Sequence, residues 1–332
     1  MAERLDAQQW GDWWRNRSLT SFHGHFQHNY DGPLRLFWEN RFARLPRGAA
    51  ILDLATGNGA LALLAAEYSA KHDRKFRITG IDYAAIQPDS LRKEHPLIEQ
   101  IRFLDNTAME DTGLEDASQD LVISQFGFEY GDMPATLKEI HRLLKPGGCF
   151  TAMVHHRDSA VLEQAREALA QIKRCEKSGV TETATALVKL QQKLARKGSL
   201  SDKDQQQARL LHQSLGTKLE KLNRYARQLK DPSHLLMFTR SIMILFDRRN
   251  AARISPEQRL DAIARLTAEN RGYRLRMKDL RSAAFGGDDF QTLKTALEQR
   301  GFSTPEIAPQ EYAGRHFCNT VSTCLRDEAN PQ

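Results

Sequence analysis

Through the first half of the chain, apolar residues gather into short continuous runs, each closed by a polar or glycine stop. Ala50-Ile51-Leu52-Asp53-Leu54 predicts a buried strand. The turn Ala55-Thr56-Gly57-Asn58-Gly59 follows it, and Leu61 to Glu67 then predicts a helix rich in Ala and Leu. Further strands are predicted over Arg77–Tyr83, Ile101–Leu104, Ser118–Phe126 and Cys149–His155, with a helix from Thr136 stopped at Pro146-Gly147-Gly148. Near the end, Asp288 to Phe302 predicts a helix with a Gly301 stop, and strands follow at Pro305–Ala308 and His316–Leu325. Strands that alternate with helices predict an α/β fold with a mostly parallel sheet.

The pattern changes after His155. Leu162, Ala165, Leu169, Ile172, Leu187, Leu190 and Leu194 recur at three- and four-residue spacing, which predicts amphipathic helix with a break at Gly179. Ser201 or Asp202 is a candidate N-cap for a second helix through Tyr225. Asp231-Pro232-Ser233 interrupts it, Leu235–Phe246 predicts a short apolar helix, and Ser255-Pro256-Glu257 starts another. The boundaries predicted are 1–45 for an N-terminal helical segment, 46–157 for the sheet core, 158–282 for a helical insertion, 283–326 for the last helix and two strands, and 327–332 for a tail. An antiparallel helical hairpin packed on the core is the form expected for the insertion.

The candidate chemistry sits at the strand ends. Gly57 and Gly59 precede a helix N-terminus, which suits a nucleotide-like ligand at the carboxyl edge of a parallel sheet. The dinucleotide fingerprint wants a third glycine where Ala62 stands, and the phosphate-loop Gly-Lys-Ser/Thr is absent. Asp82 closes the second strand, where a carboxylate can accept hydrogen bonds from both ribose hydroxyls. Asp53-x-x-x-Gly57-x-Gly59, the acid Asp82, and Glu139-x-x-Arg142-x-Leu144-Lys145-Pro146-Gly147-Gly148 before the fifth strand together resemble the class I S-adenosylmethionine-dependent methyltransferases. The resemblance covers about residues 36–157 and 283–326. It implies a Rossmann-like, doubly wound seven-stranded sheet with strand seven antiparallel between five and six and an N-terminal helical lid, and the large helical insertion after strand five is a departure from its compact form. It also implies S-adenosylmethionine as methyl donor, with S-adenosylhomocysteine as product. The donor would be held by Asp53, Ala55, Thr56, Gly57, Asn58, Gly59, Asp82, Tyr83, Asn106, Thr107, Ala108, Met109, Gln125 and Phe126.

Residues 8–45 contain all four tryptophans, with His23, His25 and His28 among them. An aromatic wall that excludes water from the transfer site is one reading, and packing of the N-terminal helix on the sheet is the other. No metal site is expected from these histidines. Tyr30, Trp38 and His156 are candidate acceptor-binding residues. His155, Glu129 and Tyr130, at the ends of strands five and four, are the candidates for proton transfer. The expected acceptor is a small or carrier-bound metabolite. The alternatives are RNA or protein methylation gripped by the insertion, and a scaffold that binds cofactor without transfer.

Charge divides the chain. Overall it carries 48 Lys and Arg against 42 Asp and Glu, net +6. Residues 158–281 alone hold 26 basic and 14 acidic residues, with Arg271, Arg274, Arg276 and Lys278 as the densest cluster and the candidate nucleic-acid contact. No apolar run reaches the about 18 residues of a membrane span, and the first residues do not read as a secretory signal. Four scattered cysteines predict no disulfide framework, and a reducing cytoplasm is expected from that.

Overall fold

The computed structural model describes residues 4–15, 18–22, 26, 28–197, 201–247, 250 and 253–327. The chain divides into two compact units. One comprises Met1–Glu163 with Asp279–Gln332, and the other comprises Gln164–Lys278.

The first unit is built on a seven-stranded sheet in the order β3-β2-β1-β4-β5-β7-β6. The strands are β1 (Ala50–Leu54), β2 (Arg77–Ile81), β3 (Ile101–Leu104), β4 (Gln119–Gln125), β5 (Leu144–Val154), β6 (Glu306–Tyr312) and β7 (Arg315–Cys324). The first five pair in parallel, and β7 runs antiparallel between β5 and β6. Two N-terminal helices, α1 (Ala7–Trp14) and α2 (Gly32–Phe42), precede it, and α3 (Ala60–Lys71) and α4 (Met133–Leu143) lie between strands. Every residue of β1 is buried, Asp53 among the apolar ones, as befits a central parallel strand. The fifth strand starts earlier than the sequence predicts. Leu144 already pairs with Gln119, and the register slips before Leu121 meets Cys149. The Pro-Gly-Gly stop therefore ends the helix yet lies inside the strand as an irregularity.

Cysteine pairing corrects the sequence reading. Cys149 and Cys324 are directly opposed on β5 and β7 and form a disulfide. Their separation of 175 residues hides a contact that only the sheet creates. Cys175 and Cys318 are free and buried.

The second unit is helical. It takes in most of α5 (Ala160–Lys177), then α6 (Val180–Lys197), α7 (Asp202–Ala226), α8 (Ser233–Phe246) and most of α9 (Pro256–Ala283). Gly179 carries the left-handed backbone that separates α5 from α6. The Ser201 hydroxyl accepts from the Asp204 N–H and caps α7. Val180, Ala184, Val188, Leu215, Leu222, Leu235, Phe238 and Ile242 form this unit's own core. Returning to the first unit, α10 (Gly287–Gln299) packs Leu293 and Leu297 into the sheet core with Phe128, Phe150 and Phe302. No helix among the described residues is long and apolar enough to cross a membrane.

Candidate functional site

The carboxyl ends of β1, β2, β4 and β5 converge on a cavity of about 420 Å³. Ala55 (φ 52°) after β1 and Phe126 (φ 61°) after β4 adopt left-handed backbone in the cavity wall, as do Asn106 (φ 50°) after β3 and Ala313 (φ 51°) after β6 outside it. Such conformations cost energy in a residue with a side chain. At Gly127 a Cβ would stand 2.4 Å from the Ala55 Cβ, so only glycine lets the β1 and β4 loops meet.

Asp82 is the polar centre of the wall. Its Oδ2 accepts from the Gly57 N–H at 2.8 Å and its Oδ1 from the Ala84 N–H at 2.9 Å. Each oxygen keeps a lone pair for a further donor. Burial pushes its carboxyl up to about 6. Ala55, Thr56, Tyr83, Ala108, Met109, Gln125 and Phe126 line the cavity beside it. Tyr83 is exposed and Met109 is buried, so the two offer an apolar slot open on one side.

Other residues expected to contact the ligand are tied to the chain around the cavity. Asp53 is buried behind the loop, where it accepts from the Thr56 hydroxyl at 2.6 Å and the Ala62 N–H at 3.1 Å. It ties the turn to the first turn of α3, and burial pushes its carboxyl up to about 7. Asn58 donates to the Trp14 and Ser18 carbonyls and accepts from the Gln87 N–H. It straps the N-terminal segment to the loop. Gly57 lies under the Trp14 ring, 2.5 Å from where its Cβ would be, and Gly59 lies likewise under Phe103. Neither glycine, nor Asn106 or Thr107, is part of the cavity wall. The Thr107 N–H bonds the Asp82 carbonyl and so fixes the acid from its other side.

Among the residues expected at the acceptor end, Tyr30, Tyr130 and His155 line the cavity. Trp38 and His156 do not. Trp38 is wholly buried, and its Nε1–H donates to Gln125 Oε1, so it orients a wall residue without joining the wall. His156 turns the other way, stacked on Phe290 and tilted against His316. The His155 ring stacks on Phe126 at 4.4 Å and is edge-on to Phe22. Burial pulls its imidazole down to about 3, so it is uncharged at neutral pH. Its backbone N–H donates to Glu129 Oε1 at 2.9 Å. Glu129 stands behind the wall, and burial raises its carboxyl to about 7. Burial also holds the Tyr130 and Tyr30 phenols well above their ordinary range, so both stay protonated.

The sequence reading missed Arg4, Trp10, Trp14 and Asp279, all in the wall. The two tryptophans belong to the aromatic segment already marked as a cover. Trp10 meets the Tyr130 ring edge-on at 5.7 Å. Asp279, from the last turn of α9, accepts from the Leu5 N–H at 3.3 Å, and nothing in its local pattern sets it apart from other helix acids. His23 and His25 lie outside the described residues, and His28 is exposed. Among the described residues no group of three His, Cys, Asp or Glu is placed to hold a metal ion.

In the helical unit the basic cluster does not form one open patch. Arg271 and Lys278 are exposed, but Arg274 is half-buried in a pair with Glu176 at 3.3 Å. Arg276 packs over Tyr273, and burial lowers its guanidinium to about 10.

Comparison with known proteins agrees with the strand-end geometry. A family described as a methyltransferase domain matches residues 51–148. A dimethylglycine N-methyltransferase of Parasynechococcus marenigrum (strain WH8102) is 36% identical over 110 residues, 32% of this chain and 37% of that one. A demethylmenaquinone methyltransferase of Chlorobaculum tepidum is 38% identical over 104 residues, 31% of this chain and 39% of that one. A 2-phytyl-1,4-naphtoquinone methyltransferase of Thermosynechococcus vestitus is 32% identical over 124 residues, 37% of this chain and 54% of that one. The matched stretch thus spans between about a third and about half of these relatives' own length. Residues 51–148, from β1 to the Pro-Gly-Gly of β5, are thus similar to a methyltransferase domain.

Proposed function

We propose that this chain transfers a methyl group from S-adenosylmethionine to a small acceptor held in the cavity at the carboxyl edge of the sheet. The observation that carries the reading is Asp82, whose two oxygens are each aimed by a backbone N–H and each keep capacity for a ribose hydroxyl. The donor set fits the cofactor. Tyr83, Ala108 and Met109 offer apolar surface beside that carboxylate for a purine, and about 420 Å³ suits a nucleoside-sized ligand with a small partner.

When bound, the cofactor supplies an electrophilic methyl group, and the protein's part is orientation and exclusion of water. Trp10 and Trp14 cover the cavity from the N-terminal side. His155 stays neutral, so it can accept a hydrogen bond from an acceptor without opposing a nearby positive charge. A group this hard to protonate is a weak general base, which favours a positioning role. Glu129, raised to about 7 by burial, accepts the His155 backbone N–H and holds that strand end in place from behind the wall.

The acceptor's character follows from charge. Asp82, Glu110, Asp132 and Asp279 contribute carboxyl groups to the wall against the single guanidinium of Arg4. An uncharged or cationic acceptor is favoured over an anionic one. The matched relatives, named for dimethylglycine, demethylmenaquinone and a phytyl-naphthoquinone, support a small-molecule class. The test is transfer of isotopically labelled methyl from S-adenosylmethionine to a panel of small amines, quinols and carboxylates, with RNA and protein alongside. Label in an amine or quinol is the expected result. Label in RNA or protein alone would move the acceptor to a macromolecule. Cofactor binding with no transfer to any class would leave a binding scaffold.

A further inference from the structure

Helix α8 is apolar on both faces. Leu235, Phe238, Ile242 and Leu245 point into the helical unit's core. The opposite positions, at the same three- and four-residue spacing, would be polar on an ordinary surface helix. Here they are Leu236 (44% exposed), Met237 (54%), Met243 (50%) and Ile244 (45%), with Arg240 in their midst. Four of the seven large apolar side chains exposed among the described residues share this one face. No acid interrupts it before Asp247.

The surroundings are cationic. Residues 164–278 hold 25 Lys and Arg against 11 Asp and Glu. Helix α7 is joined to α8 by the bond from the Thr239 hydroxyl to Asn223. Toward the joining turn the chain exposes Lys221, Arg224, Arg227 and Lys230, and Glu220 and Asp231 are the only acids from 205 through 246. We propose that the outer face of α8 docks on an anionic phospholipid surface, lying in the plane of the headgroups.

Three physical points select that occupant. At 14 residues α8 is too short to span a bilayer, whereas an exposed apolar ridge with Arg240 within it, carried by a strongly basic unit, suits the interface. Lysine and arginine stems can lie along apolar surface while their charges stay among anionic headgroups. A second copy of the chain is disfavoured, because a two-fold contact would set Arg240 near its own mate and bring two strongly basic units together.

The test uses the full chain with sedimented vesicles. One set contains phosphatidylglycerol mixed with phosphatidylcholine, and the other is phosphatidylcholine alone. Binding to the first, weakened by salt, and little binding to the second are expected. The double variant Met237→Glu/Ile244→Glu should weaken it by about tenfold or more, from lost apolar contact and added negative charge. Arg240→Glu, which spares every apolar residue, should weaken it by about fivefold or more. Gln206→Glu/Gln207→Glu makes the same charge change on exposed α7 positions outside the face and should alter binding less than about twofold. Unchanged far-UV circular dichroism verifies folding. Absence of binding to the phosphatidylglycerol vesicles overturns the proposal, as does an equal loss in the glutamine control. Binding of polyglutamate in place of vesicles would assign the face to an acidic protein. Conversion of a dimer to a monomer by the double variant, with vesicle binding intact, would assign it to a second copy.

Discussion

The two units of this molecule handle charge in opposite ways. The sheet unit, Met1–Glu163 with Asp279–Gln332, holds 23 basic and 31 acidic residues, and several of its acids are buried at strand ends. The helical unit is strongly basic, and most of its charges stand on exposed helix faces. In the sheet unit position matters more than number. Asp53, Asp82 and Glu129 are each fixed by backbone or hydroxyl donors, and each is raised above the ordinary carboxyl range by burial. In the helical unit single charges are interchangeable, and the apolar core carries the fold. Substitutions should therefore couple stability to ligand binding in one unit and separate them in the other.

The largest effect is expected in the helical core. Phe238 is 1% exposed, and Phe238→Ala should cost about 3–5 kcal/mol in denaturant unfolding of the helical signal. Calorimetric affinity for S-adenosylhomocysteine should change by less than about twofold. A parallel loss of affinity would break the comparison by showing that the helical core supports the sheet site. Gly127→Ala, whose new methyl would strike Ala55, should cost about 1–3 kcal/mol and also weaken S-adenosylhomocysteine binding. Loss of stability with affinity intact would detach the β1–β4 junction from the ligand.

Glu129→Gln sharpens the comparison through pH. The folded protein raises this carboxyl from 4.5 to about 7, so burial favours the protonated form. Its contribution to stability is fully present below about 4.5 and is lost as pH rises through about 7. The glutamine variant should match the parent at pH 4 and exceed it by about 2 kcal/mol at pH 8, as read from thermal unfolding across that range. A constant difference at every pH would show that the carboxyl is not raised. The smallest effect belongs to the exposed Glu220–Arg224 pair of the helical unit, where Glu220→Gln should shift stability by less than about 0.5 kcal/mol.

Much of the sheet unit was legible because its signals are local. A short, mostly apolar run bounded by turn residues reads as a buried strand, and the turns after β1 and β2 announce themselves by glycine or an acid. Asp82 was legible for the same reason, since it closes a strand at the expected distance from the glycine turn. What escaped depended on contacts remote in sequence. Asp279 reaches the cavity from the end of a 28-residue helix, and Cys149 meets Cys324 only because β7 returns antiparallel beside β5. The inward turn of Trp38 was not legible, because composition reveals an aromatic residue but not which way it faces. Nor were the partners of Asn58, because a polar side chain in such a loop can bind the chain that covers it.

Calorimetry of the parent chain and of Asp82→Ala with S-adenosylhomocysteine tests the central claim most directly, with NAD as the competing ligand. The parent should bind the sulfur ligand and ignore NAD. The variant, still folded by circular dichroism, should bind about 10- to 100-fold more weakly, the effect of losing hydrogen bonds to a charged acceptor worth about 1.5–3 kcal/mol. NAD binding by the parent without any response to S-adenosylhomocysteine, or equal affinity in parent and variant, would contradict the assignment of this cavity.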